Sequence, residues 1–199
     1  MNKKTKEQAL RKFRQHVDFW NEHSIEYEDK DLKELKKDCG LDKEGMIEIN
    51  KSKGADSRTC DYTQVTKATL LENSEQHIND VQKGMLFFVG KLIETGQSHD
   101  KTKLSHIDDF YRDFQTGFKS KEWWKMHQKT ERHHLRDPQY IQDDVNLVDI
   151  LEMLTDGVMA GLARTGEYRK EPIPEELLRR AFDNTIKLLL ENVKVVDNG

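Results

Sequence analysis

The stretch Ser98-His99-Asp100-Lys101-Thr102-Lys103 follows a long segment with helical apolar spacing and sets a histidine beside an aspartate. An imidazole nitrogen and a carboxylate oxygen from adjacent residues suit a divalent transition metal, and two or three further ligands would complete a site. Six of the eight histidines lie within one part of the chain: His77, His99, His106, His127, His133 and His134. The pair therefore predicts the position of a metal site.

The segment before this pair predicts a helix that Thr66 caps and Gly96 ends. Its residues at steps of three or four form one face: Leu70, Ser74, His77, Val81, Met85, Phe88 and Leu92. A histidine on an apolar face is usually a hydrogen-bonded core residue, but this face runs toward the His-Asp pair. We predict that His77 lies on a buried face and is a third metal ligand.

Three helices are predicted after the pair. The sequence Ser105-His106-Ile107-Asp108 resembles a capping box and begins the first. The second starts near Lys121, ends at Asp137-Pro138, and carries on one face Trp123, His127, Thr130 and His134. The third, capped by Asp143 or Asp144, has an apolar face of Leu147, Ile150, Leu151, Leu154, Val158 and Leu162. Its flank carries three carboxylates, those of Asp149, Glu152 and Asp156.

The chain divides at about residue 61. Residues 1–61 predict an N-terminal helical extension, with a helix over 5–38, then a loop that contains one short strand at Met46-Ile47-Glu48-Ile49. Residues 62–199 predict a helical metal-binding domain that ends in an amphipathic helix with Leu177, Leu178, Ala181, Phe182, Ile186 and Leu189. The predicted fold class is all-α, a bundle of five to seven helices.

Composition excludes several classes of protein. The net charge of −4, with both signs interspersed, argues against bulk nucleic-acid binding by charge alone. The longest apolar run, residues 85–89, is too short for a bilayer, and the charged start lacks a signal peptide. Cys39 and Cys60 lack the spacing of a zinc knuckle or a redox pair. These features predict a cytoplasmic protein, either a monomer or a homo-oligomer.

The order of His77, His99-Asp100 and Asp149 on successive helices resembles the HD-domain metal-dependent phosphohydrolases, over about residues 66–165. The resemblance implies an HD-like helical bundle with one or two divalent ions, among Mn, Fe, Ni, Co and Zn. These four residues would be ligands, and Asp156 is the alternative to Asp149. The sequence His99-Asp100-x-x-Lys103 is similar to the form in which the lysine helps to bind the phosphate.

His127, His133 and His134 resemble the extra histidines of binuclear members, which include cyclic-dinucleotide phosphodiesterases. On one straight helix His127 and His134 would lie about 10 Å apart along the axis, too far to share an ion directly. The Gly-Tyr-Pro signature of cyclic-di-GMP enzymes is also absent, so the sequence leaves a second metal open. The segment 144–166 resembles uncharacterised phage-borne proteins, which implies a host-cytoplasm location.

The resemblance implies hydrolysis of a nucleotide, either a deoxynucleotide phosphate or a cyclic nucleotide, by attack of a metal-bound water. Asp100, Lys103 and Glu152 are the predicted catalytic residues, and Lys103, Arg132 and Arg164 the predicted substrate-binding residues. The main alternative is a phage protein that binds a nucleotide or a host protein through a degenerate site. Two others are a hydrogen-bonded interior without metal, and an all-α pyrophosphatase that uses Glu72 and Glu75.

Overall fold

The computed structural model describes residues 46–52, 54, 57–58, 60–168 and 172–196. The helix predicted over residues 5–38 lies outside these ranges. The described residues contain five helices of nine residues or more, one five-residue helix and two short strands. In chain order these are β1 (Ile47–Asn50), α1 (Lys67–Ser98), α2 (Lys101–Ser105), α3 (Ile107–Gln115), α4 (Glu122–Thr130), α5 (Leu147–Thr165), α6 (Glu175–Glu191) and β2 (Val193–Val196). The predicted predominance of helix is confirmed.

Helix α1 begins where the sequence predicts, because the Thr66 hydroxyl accepts a hydrogen bond from Thr69 N. It does not end at Gly96 but continues to Ser98. The predicted buried face is wrong: His77 is exposed, together with Leu70, Val81, Met85 and Leu92. At 1.5 Å per residue α1 is about 48 Å long, whereas α5, which packs against it, is about 28 Å long. α1 is thus about 20 Å longer than α5, and β1 packs against it as well.

The strand predicted near residue 47 is present, and it pairs with a strand near the other end of the described chain. β1 pairs in parallel with β2, in the register Ile47↔Val193, and Ile47 is buried. Side chains of α1 hold β1 as well, since Gln76 Nε2 donates to Asn50 O and Lys83 Nζ to Glu48 O. Part of the segment assigned to the N-terminal extension is thus integrated with the C-terminal domain.

The hydrophobic core lies between α5, α6 and the connection before α5. Its buried residues are Leu135, Val145, Ile150, Leu177 and Ala181. The predicted α5 face is only partly correct, because Leu151, Leu154 and Leu162 are exposed. The predicted cap at Asp143 or Asp144 is also wrong, since Asn146 caps α5. At the start of α3, His106 occupies the cap position without a side-chain hydrogen bond, so the predicted capping box is absent there.

Helix α4 ends at Thr130, seven residues before the predicted end at Asp137. The chain from residue 131 to residue 146 is not helical, so it turns back toward α4. Within the described residues, no helix combines the length and the apolar composition needed to cross a membrane. The early end of α4 decides the geometry of the candidate site, because it returns His133 and His134 to the side of His127.

Candidate metal centre

The junction between α1 and α2 places His99 and Asp100 side by side. His99 ends α1, and Asp100 adopts the left-handed conformation, with φ 55° and ψ 22°. This conformation costs a non-glycine residue about 1 kcal/mol, and such costs concentrate at functional sites. Asp100 occupies the cap position of α2, yet its carboxylate caps no N–H of that helix. It faces a group of histidines instead.

The Asp100 carboxylate is surrounded by imidazole nitrogens. Its Oδ1 lies 3.3 Å from His127 Nε2 and 3.7 Å from His133 Nε2, while its Oδ2 lies 3.4 Å from His99 Nε2 and pairs with Lys103 Nζ. His127 is fully buried and stacks on Trp123, with ring centroids 4.5 Å apart. The ring of His134 lies 4.6 Å from that of His127. Four histidines from three parts of the chain thus meet at one carboxylate.

The tautomer of His127 follows from its neighbours. Thr102 Oγ1 lies 2.6 Å from His127 Nδ1 and 2.6 Å from Glu131 Oε1. A hydroxyl has one proton, which it donates to the Glu131 carboxylate, so it must accept a hydrogen bond from His127 Nδ1–H. His127 Nε2 then carries a lone pair that faces Asp100. This is the arrangement in which a second partner orients a metal-binding imidazole.

Glu152 orients two further histidines from α5. Its Oε1 lies 2.9 Å from His99 Nδ1 and 3.1 Å from His133 Nδ1. Burial works to raise the pKa of Glu152, but the two imidazoles outweigh it and lower that pKa, so the carboxylate is ionised at neutral pH. An ionised Glu152 accepts a hydrogen bond from His99 Nδ1–H, which leaves the lone pair of His99 Nε2 directed at Asp100. Glu152 therefore orients the imidazole rings of His99 and His133.

The buried histidines of the cluster differ in pKa: for His133, burial is outweighed by Glu152, which raises the pKa, whereas burial lowers the pKa of His127 and His134. Burial lowers the pKa of His127 to about 4 and that of His134 to about 3, so both are neutral at pH 7. For Asp100, burial works to raise the pKa, but Lys103, His99 and His127 outweigh it and lower that pKa. The buried polar atoms without a hydrogen-bond partner among the described residues include Asp100 Oδ1, His127 Nε2, His133 Nε2 and His134 Nε2. Buried polar atoms without partners are unfavourable, and a cation bound among them would supply a partner.

The ligand atoms form two sets that share Asp100. One set is His99, Asp100 and His133, and the other is Asp100, His127 and His134; within each set the ligand atoms lie within 4.8 Å of one another. Ligands that are 2.0–2.2 Å from one ion lie about 3 to 4 Å apart. The separations of 3.3, 3.4 and 3.7 Å around Asp100 match that spacing. Each set could hold one divalent ion, so the residues present fit one or two ions.

The prediction that His77 joins this centre is not supported. His77 precedes the end of α1 by 21 residues, or about 31 Å along the helix axis. Its side chain is exposed, beside Asn50 and Ser52 near β1. Helical periodicity shows which residues share a face but says nothing about distance along the helix. His133, which the sequence assigned to a second metal, lies beside His99 instead.

Asp149 also differs from its predicted role as a ligand. Its two oxygens accept hydrogen bonds from Arg132 Nε and Nη2 at 2.8 and 2.9 Å, and Asn146 N donates to Oδ2 at 2.8 Å. Arg132 also contacts Asp144. Arg132 is therefore committed to an intramolecular ion pair and is not available as a phosphate clamp. Asp149 fixes the start of α5 and the connection that carries His133.

Asp156 lies closer to the centre than Asp149 does. Its Oδ1 is 3.8 Å from His99 Nε2, and both residues line a cavity of about 420 Å³ between α1 and α5. The structure thus brings the alternative carboxylate, Asp156, to the site. Sequence reasoning missed Thr102 and Glu131, both buried polar residues. The signals for them were available: Thr102 follows the His-Asp pair, and Glu131 precedes the His133-His134 pair.

Replacing Thr102 by Val is expected to weaken one metal site and spare the other. The change removes the acceptor for His127 Nδ1, and loss of such a partner typically costs 10- to 100-fold in metal affinity. Competition with a chelating dye should give one metal dissociation constant for each set. In Thr102→Val only the constant of the set that contains His127 should rise. Thr130→Val, at the exposed end of the helix that carries His127, is the matched control and should change neither. Two unchanged constants for Thr102→Val would contradict the assigned tautomer.

Comparisons with protein-family models, curated proteins and solved structures found no match to this chain.

Proposed function

We propose that the chain is a metal-dependent phosphohydrolase of the HD type that acts on a nucleotide, and that the two ligand sets that share Asp100 would hold two divalent ions. One observation carries the proposal: buried polar atoms of His127, His133, His134 and Asp100 lie close together without hydrogen-bond partners among the described residues. A divalent ion bound there would lower the pKa of water to near neutrality and offset negative charge on a phosphoryl group. The set is rich in nitrogen and open to solvent at His99, unlike the closed cysteine-rich sites of structural zinc.

The proposal keeps part of the predicted HD pattern and replaces the rest. His99 and Asp100 hold the positions that the resemblance gives them. His133, His127 and His134 take the place of His77, and Asp156 is the nearby carboxylate in place of Asp149. Nitrogen and oxygen ligands of this kind suit Mn, Fe, Co, Ni and Zn.

Three residues of the chain would have separate roles in hydrolysis. Asp156, about one-third exposed in the cavity beside His99, is placed to accept the proton that water loses as it attacks phosphorus. The new bond joins the water oxygen to phosphorus, and the ester P–O bond breaks. Lys103, on the outer oxygen of Asp100, offsets charge on the phosphoryl oxygens and can supply a proton to the leaving oxygen. Glu152 acts through His99 and His133 as a positioning residue, rather than as the predicted catalytic residue.

A panel of deoxynucleotide mono- and triphosphates, cyclic mono- and dinucleotides and p-nitrophenyl phosphate tests the proposal. With added Mn, Co or Ni, at least one compound should release phosphate or a monoester, and a chelator should abolish the release. Asp156→Asn should lower kcat about 100-fold or more while metal content is retained, since positioned proton transfer contributes 10²- to 10⁴-fold. Asp109→Asn, an exposed carboxylate on α3, is the control and should match the unmodified protein.

Two results would contradict the proposal. One is a metal-loaded protein that hydrolyses nothing in the panel. The other is tight binding of a nucleotide without product, unchanged in Asp100→Asn, which would favour the binding-protein alternative. Calorimetry on the same panel separates these two results.

A further inference from the structure

Two adjacent cavities lie on the His133 and His134 side of the candidate metal centre. The smaller, of about 230 Å³, is lined by His133 and His134 and also by Trp124, Arg136 and Arg164. The larger, of about 650 Å³, lies between the connection before α5 and the start of α6. Leu135, Arg136 and Met153 line both cavities. A ligand can therefore contact the histidines and the larger cavity at the same time.

The smaller cavity is positively charged. Its described lining residues include two arginines and no acidic residue. The cavity that reaches the centre at His99 has the opposite character, since Glu152 and Asp156 line it and its described residues include no lysine or arginine. A phosphate is attracted to the arginine side, while the carboxylate side suits the water that loses its proton to Asp156. Because a guanidinium can bind two phosphate oxygens at once, Arg164 suits a phosphoryl group.

Arg164 is the better placed of the two to bind a ligand. It lies in the last turn of α5, its side chain is exposed, and the described part of the chain shows no ion pair for it. Between the arginines and the histidines, α5 carries Gly157. A Cβ added there would meet only Tyr168 Cε2 at 3.8 Å, an ordinary contact. The missing side chain therefore keeps the cavity open without being required for close packing.

The larger cavity is mostly apolar. Its walls carry Leu135, Ile141, Met153, Ile173 and Leu177, and its volume is within the range of about 300–1,000 Å³ that holds organic ligands. The smaller cavity, of about 230 Å³, lies below that range and suits a small group such as a phosphoryl group. The two cavities together are complementary to a ligand that has an anionic end and an apolar end. The anionic end is the one next to the histidines.

We propose that the substrate is a phosphate ester of an apolar or aromatic group about the size of a nucleoside. The phosphate lies against Arg164 in the smaller cavity, and the organic group occupies the larger cavity. The identification of this ligand as a substrate rests on the proposed function. The recognition of its anionic and apolar ends does not, because it depends on arginines and apolar residues that are not metal ligands.

Binding of two phosphonates tests this assignment without any turnover, since their C–P bond is not hydrolysed. Phenylphosphonate and methylphosphonate are titrated calorimetrically into the full chain, and bound metal is measured on the same samples. Phenylphosphonate should bind at least tenfold more tightly than methylphosphonate, as expected for burial of a phenyl ring. Arg164→Gln should weaken both about 10- to 100-fold, the usual effect of losing a charged hydrogen bond. Arg179→Gln, an exposed arginine on α6, is the matched control and should change neither.

A second pair of variants tests the cavity itself. Gly157→Leu should abolish binding of both phosphonates by filling the space beside the histidines. Gly157→Ala should bind them as the unmodified protein does, and both variants should melt at or above its Tm, because glycine inside a helix is unfavourable. Equal binding by Gly157→Leu and Gly157→Ala would overturn the assignment.

The remaining outcomes separate this inference from the proposed function. If Arg164→Gln binds phosphonates as well as Arg179→Gln does, the anion site is wrong even when metal is present. If the two phosphonates bind equally, the role of the apolar cavity is wrong. If phosphonate binding depends on Arg164 but the protein carries no metal, the proposed function fails and the ligand assignment stands.

Discussion

The Asp100→Asn protein is expected to fold normally and to bind almost no metal. Asp100 is the one anionic ligand shared by both sets, so its loss should lower the affinity of both, by about 100-fold or more given that even second partners contribute 10- to 100-fold. Asparagine tolerates the left-handed conformation and has nearly the same shape as aspartate. The core cluster that contains Leu135, Val145 and Ile150 does not include Asp100, so the change should leave the core packing intact. Elemental analysis and thermal melting, on protein purified without chelator, measure the two expectations.

Asp109→Asn is the control for this change, because it also converts a carboxylate to an amide but lies on the exposed side of α3. It should retain the metal content of the unmodified protein. Full metal occupancy in Asp100→Asn would contradict the assigned ligands. Loss of metal together with loss of the folded state would show that the variant tests stability rather than ligation, and Asp100→Glu would then replace it.

The Asp149→Ala protein is expected to lose stability but to keep its metal while it is folded. The change leaves the Arg132 guanidinium without its main partner and removes half of the capping box of α5. Breaking a buried ion pair costs 3–5 kcal/mol, but Arg132 is 37% exposed and keeps Asp144, so we expect a loss of about 3 kcal/mol with the cap included. Urea unfolding gives this free energy, and elemental analysis of the folded fraction gives the metal content.

Asp156→Ala is the control for Asp149→Ala, since it removes a carboxylate two turns later on the same helix. Asp156 makes no cap and is one-third exposed, so its loss should change the free energy of unfolding by less than about 1 kcal/mol. If Asp149→Ala instead lost its metal at unchanged stability, Asp149 would be a ligand, as the HD resemblance implied. The placement of Arg132 against Asp149 would then be wrong.

The parts of this site that could be predicted from the sequence are those fixed locally. Thr66 is a capping residue at the start of an apolar periodic segment, and it does cap α1. The His99-Asp100 pair lies at the junction between two helices, where its residue types indicated a metal site. Periodicity also placed Glu152 and Asp156 on one side of α5, and both contact His99.

The end of α4 could not be predicted, because tertiary contacts determine it. Glu131-Arg132-His133-His134 contains no glycine or proline, so local preference favours continuation of the helix. In the folded chain Glu131 accepts hydrogen bonds from Thr102, and Arg132 binds Asp149, each from a distant element. These contacts hold the segment in a non-helical conformation. They bring His134 next to His127, which an axial separation of about 10 Å on one helix had excluded.

The two misassigned ligands have a related cause. His77 and Asp149 were chosen by their order along the chain and by an apolar context. Neither criterion shows which residues a side chain contacts in the folded chain. The bidentate fit of Arg132 to Asp149 engages both carboxylate oxygens in an ion pair outside the histidine cluster. His77 lies too far along α1.

Anomalous diffraction from a crystal of the metal-loaded protein, recorded at the absorption edge of the bound metal, tests the central claim most directly. We expect two peaks about 3.5–4 Å apart, as in other two-metal sites. One should lie among His99, Asp100 and His133, and the other among Asp100, His127 and His134. An anomalous map with no peak within about 2.5 Å of the Asp100 carboxylate would contradict the account.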